Sequence, residues 1–110
     1  MQLKQLIDFV PGGVANKVVI KNHCGMSLLL ALDAGAEIPP HSAPADVLVL
    51  VLEGHVDFTV GGQTNELKAG SYQLMIPNQI HSLKAQTPTK ILVTKINMLP
   101  EGDAEDYPEC

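Results

Sequence analysis

The sequence predicts an all-β fold, a single small antiparallel barrel or sandwich preceded by a short helical turn. Three observations carry this. Short runs rich in Val, Ile, Leu, Thr and Tyr recur along the chain, Gly-, Pro- and Asn-bearing segments separate them, and no amphipathic stretch reaches three helical turns. At 110 residues the chain fits one domain with a real apolar core and is too short for two. It has no internal repeat and no linker.

The elements follow in order. Residues 3–9, "LKQLIDF", place Leu3, Leu6 and Phe9 on one face of a helical turn, which Pro11 and the Gly12–Gly13 pair end. Strands are expected at Val18–Lys21, Met26–Leu32, Val47–Glu53, Val56–Val60, Gln63–Leu67, Tyr72–Ile76, Ile80–Lys84 and Ile91–Asn97. Residues 33–46, "DAGAEIPPHSAPAD", read as a loop. The resulting division is an N-terminal segment over 1–15, a barrel over 16–99 and an acidic tail over 100–110.

Strand patterning separates wet faces from covered ones. In "VDFTV", Val56, Phe58 and Val60 share one face while Asp57 and Thr59 take the other, as a strand with one solvated side requires. "VLVLVL" has no polar face: Val47, Val49 and Val51 lie on one side, Leu48, Leu50 and Leu52 on the other. One side fills the barrel. The leucines then need a second cover, either the N-terminal segment or another subunit, and a homodimer is the expectation.

Charge narrows the function classes. Glu101, Asp103, Glu105, Asp106 and Glu109 account for the formal charge of −5, leaving the preceding residues balanced. Every basic residue is Lys and none cluster, so the bidentate readers of phosphate and guanine are missing and no nucleic-acid partner is expected. The tail "EGDAEDYPEC" has too little apolar surface to offset the entropy of ordering and is expected to stay flexible. Cys24 and Cys110 have no CxxC spacing, which suggests neither a disulfide framework nor a zinc knuckle; Cys24 is expected as a partly buried thiol and Cys110 as a spectator. With no signal-peptide core or spanning segment at the N-terminus, the expectation is a cytoplasmic protein with no membrane partner.

Two stretches carry motif spacing. Gly35, the five residues "AEIPP", His41 and a closing Gly54 form one; "GSYQLMIPNQIH" forms the other, with Gly70 and His81 eleven positions apart and Pro77 between them. In this spacing, over roughly residues 30–97, the chain resembles the cupin superfamily, in particular its small single-domain bacterial members of the cupin-2 type. The resemblance implies a jelly-roll β-barrel that often holds one metal in its mouth. Asn78 stands where that pattern usually has glycine, a cheap exchange because Asn tolerates a left-handed backbone.

The departures bear on function. The pattern's second His falls on Ala43 and its Glu on Val47, so two of four usual ligands are missing. His41 and His81 remain, short of the three or so protein ligands a catalytic metal generally has. Asp46 could replace the third only if a bulge re-aimed it, since its strand parity is opposite to that of His41, Ala43 and Val47. His55 falls on the polar face with Asp57 and Thr59, and His23 sits in the turn "NHCG". A pocket walled by Val47, Val49, Val51, Phe58 and Met75 with the two imidazoles at one end suits a small, mostly apolar molecule with one polar handle.

These observations favour a small-molecule-binding barrel protein with a degenerate metal site. Two alternatives stay open. One is an enzyme, a dioxygenase or isomerase in type, using a divalent metal (Fe, Mn, Zn or Ni) on a non-standard ligand set. The other is a structural or interaction protein with a vestigial pocket.

Overall fold

A computed structural model of the chain describes residues 1–96. The acidic segment over 100–110, the expected end of the barrel at 99 and Cys110 lie outside the described residues.

A 3-10 turn at Leu3–Leu6 precedes nine strands: β1 (Val14–Asn22), β2 (Gly25–Leu32), β3 (Glu37–His41), β4 (Asp46–Glu53), β5 (His55–Val60), β6 (Gln63–Lys68), β7 (Tyr72–Met75), β8 (His81–Ala85) and β9 (Thr89–Ile96). They form two antiparallel sheets, ordered β1-β2-β9-β4-β7 and β3-β8-β5-β6. Inward residues of both sheets, among them Val49, Val51, Val56, Phe58, Leu83 and Ile91, make one buried cluster. Alternation along each strand produces that face, because side chains two apart point the same way.

Strand β3 corrects the sequence reading, which left residues 33–46 as a loop. Proline cannot donate to a ladder, so "EIPPH" does not look like a strand. Its place explains the exception: β3 is the edge of its sheet, pairs only with β8, and shifts register between Ile38 and His41, around the two prolines. Cys24 is half-buried in the turn between β1 and β2.

Gly54 shows why one motif glycine is needed. Its φ is +95°, and a Cβ there would lie 2.4 Å from the Pro88 carbonyl oxygen and 2.5 Å from Thr89 Oγ1. That hydroxyl is fully buried; it accepts from the His55 N–H at 3.1 Å and donates to the Thr87 carbonyl at 2.7 Å. At Asn78 the backbone is left-handed, with φ of +66°. A further close approach occurs at Gly25, whose Cβ would meet the Lys95 carbonyl oxygen at 2.2 Å as β2 packs along β9.

The N-terminal segment covers part of the five-stranded sheet's outer face. Ile7, Leu29 and Ala31 are buried there, with Leu6, Phe9, Leu52 and Leu92 packed around them. Polar contacts fasten it. Lys90 Nζ donates to the Lys4 carbonyl at 2.7 Å, lies 5.0 Å from the Phe9 ring centre and pairs with Glu53 at 3.6 Å. The Asp33 carboxylate accepts from the N–H groups of Gly12 and Ala34, which hold its carboxyl below the usual range. No helix among the described residues is long and apolar enough to cross a membrane.

The other end of that face has no cover among the described residues. Leu48, Leu74, Ile76 and Ile96 are exposed and, with Thr94 and Gln79, line a groove of about 560 Å³. Of the leucines expected to need a cover, Leu52 therefore has one from the N-terminal segment, while Leu48 lies open.

Candidate functional site

His41 closes β3 and His81 opens β8, and the two are direct partners in the β3–β8 register. Their ring centres are 4.1 Å apart at an interplanar angle of 62°. Beneath them the Phe58 ring stacks on His81 at 5.9 Å, with its plane within 7° of parallel. His81 is buried, whereas His41 is exposed at the rim.

Each ring is oriented by its own strand. His41 Nδ1 lies 2.9 Å from the Pro39 carbonyl oxygen and His81 Nδ1 lies 3.1 Å from that of Gln79, in both cases two residues back. A carbonyl only accepts, so each Nδ1 is the protonated nitrogen and each neutral ring presents a bare Nε2. Burial pushes the His81 pKa below its ordinary 6.5; the Gln79 carbonyl raises it, and the nearby His41 and Lys95 lower it further. His81 is therefore the neutral, accepting imidazole of the pair at neutral pH.

The cavity these rings border measures about 60 Å³ and is otherwise walled mainly by aliphatic side chains of both sheets. Val47, Val49 and Phe58 line it. Val51 and Met75 are buried in the same inner core but do not line the cavity, and Met75 also borders the outer groove. Asp46 also borders that groove and is not among the residues lining the cavity. The structure adds Leu28, Leu30, Ile38, Leu83, Val93 and, above all, Lys95. Lys95 shares strand parity with buried Ile91 and Val93, a signal present in "ILVTK" but masked because lysine reads as a solvent residue. Ala43 is buried in the core beside the mouth, where its carbonyl accepts from the Asn78 N–H at 2.8 Å.

Among the described residues the donor set is thus two imidazoles and one ammonium, and no carboxylate lines the cavity. A match to the cupin domain family model spans residues 28–95, which is most of the chain and includes every one of these groups. The chain belongs to the cupin family.

Solved cupin structures agree on the fold. A conserved protein of unknown function from Streptococcus pyogenes superposes with a TM-score of 0.83 at 24% identity, over 93% of this chain and 88% of that one. A cupin superfamily protein from Desulfitobacterium hafniense gives 0.84 at 19% identity, over 87% and 88%. An RmlC-like cupin from Shewanella frigidimarina gives 0.75 at 25% identity, over 87% and 82%. No curated protein matches. Likeness at this level carries architecture; function has to be argued from the cupin's own side chains.

A second polar cluster lies on the opposite face of the four-stranded sheet. His55, Asp57 and Glu66 bring ligand-type atoms within 4.8 Å of one another, with His55 Nε2 3.7 Å from the Glu66 carboxylate. Asp57 already accepts from the Gln86 side-chain amide, and Glu66 is well exposed. His23 lies exposed in the turn between β1 and β2.

Proposed function

We propose that this cupin binds a small, largely apolar molecule in the mouth of its barrel, with His41 and His81 holding the polar end. The observation that carries the reading is the lining itself: aliphatic walls and the Phe58 ring below two imidazoles whose orientation is already set. Preset polar groups over an apolar wall are the usual composition of a ligand site. A cytoplasmic location is part of the same proposal.

The metal site is degenerate on this reading. Two bare Nε2 atoms would suit a divalent ion, but Ala43 and Val47 provide no third or fourth ligand, and a lysine ammonium borders the same small space. That set does not fit a tightly held catalytic ion. Elemental analysis of protein purified without chelators tests this. Substoichiometric Fe, Mn, Zn and Ni is the expected result; a near-stoichiometric metal that disappears in His81→Ala would overturn the reading in favour of a metal-dependent enzyme.

The bare end of the five-stranded sheet supports assembly as a homodimer. Leu48, Leu74, Ile76 and Ile96 form an apolar surface whose groove has, among the described residues, Asp46 as its one charged member, so two copies can pack face to face without opposed like charges over the middle. Sedimentation at micromolar concentration should give a dimer that Leu74→Asp converts to monomer. A monomeric wild type would refute the assembly and leave the ligand site untouched.

A further inference from the structure

Lys95 is the group in the mouth that neither the fold nor the histidine pair accounts for. The other lysines nearest in sequence have carboxylate partners: Lys84 pairs with Glu37 and Lys90 with Glu53, each at 3.6 Å. Among the described residues no carboxylate lies within ion-pair distance of Lys95, although it is half-buried and borders the cavity. Withdrawing an ammonium from water without a counter-charge is unfavourable, so such a group is one a ligand can stabilise.

The hydrogen-bonding inventory narrows which ligand. Lysine offers donors and no acceptor, while each imidazole here directs its Nδ1–H to its own backbone, so that in the neutral form its Nε2 offers only a lone pair. No hydrogen bond among the described residues uses either Nε2. A simple carboxylate would satisfy Lys95 but set its oxygens against those lone pairs. A simple alcohol would satisfy an Nε2 and leave the ammonium unpaired. A ligand carrying an anionic oxygen and an adjacent hydroxyl satisfies both at once.

We propose that the mouth recognises a short aliphatic 2-hydroxy acid, its carboxylate on the Lys95 ammonium, its hydroxyl donating to Nε2 of His81 or His41, and its alkyl group against the aliphatic wall and Phe58. This rests on the mouth being the ligand site and names the ligand class. The cavity of about 60 Å³ limits the alkyl group to a few carbons, with the polar end at the rim beside exposed His41.

The test uses the full chain and three probes of matched size: 2-hydroxyisovalerate, isovalerate and the neutral 3-methyl-2-butanol. Binding is followed by calorimetry and by the imidazole resonances of His41 and His81 at neutral pH. Expected is binding of 2-hydroxyisovalerate about tenfold or more tighter than isovalerate, a loss of about tenfold or more in Lys95→Met, and recovery in Lys95→Arg. An unchanged melting temperature in Lys95→Met separates lost binding from lost folding. If Lys95→Met binds the hydroxy acid as wild type does, or isovalerate binds equally well, the inference is overturned. If only the alcohol shifts the His81 resonances, the hydroxy-acid assignment falls while the ligand site stands. If no probe shifts them, both fall.

Discussion

The four-stranded sheet carries histidines on both faces, His41 and His81 inside and His55 outside, and the two faces are opposite surroundings. On the inner face His81 is buried, stacked on Phe58 and flanked by His41 and Lys95, with no acid lining the cavity among the described residues. On the outer face His55 stands beside Asp57 and Glu66 in partial contact with water. The strands that separate them are the same. Outside, the Glu66 carboxylate is solvated while His55 Nε2 is itself buried without a hydrogen-bond partner; inside, the polar groups border a cavity that a ligand can enter.

Removing the floor of the inner site should have the largest effect. Phe58→Ala deletes a fully buried ring that also supports His81, and denaturant unfolding should show a loss of about 3–5 kcal/mol. Less drastic is to give the inner face the ligands it lacks. Ala43→His with Val47→Glu should raise Zn²⁺ affinity by about tenfold or more in a competition titration, since it brings the count to the usual four; no gain would place these positions off the mouth.

A smaller effect is pH-dependent. Folding lowers the His81 pKa, so below its ordinary 6.5 the unfolded chain takes up a proton that the folded chain resists. Stability attached to His81 should be full above that value, decline as pH falls through it, and level off below the folded pKa. His81→Gln should flatten this part of the stability profile; an unchanged slope would mean that burial does not act on the ring. The outer cluster should respond least. Glu66→Gln breaks an exposed 3.7 Å pair, and thermal unfolding should register a change within about 0.5 kcal/mol.

Much of the architecture is legible in the sequence because alternation in "VDFTV" and the double apolar face of "VLVLVL" admit few arrangements. His41 and His81 are legible through the spacing of glycines and histidines around them. Strand β3 is hidden, because its prolines argue against a ladder unless one knows that it lies at an edge. Lys95 is hidden for a different reason. Its inward parity is readable, but a lysine at the end of a strand is expected to turn outward, and only the assembled mouth shows that it borders the histidines. The division of the leucine face between the N-terminal segment and open surface likewise depends on how far residues 3–9 reach across it.

Gly25 links strand packing to that mouth. With no side chain it lets β2 lie against the backbone of β9 at the residue that carries the inward lysine. Any methyl group at this position would act as a wedge, pushing the strand outward and carrying the ammonium away from the two rings. The tuning of the cavity is thus partly encoded on a neighbouring strand, by an atom the chain leaves out.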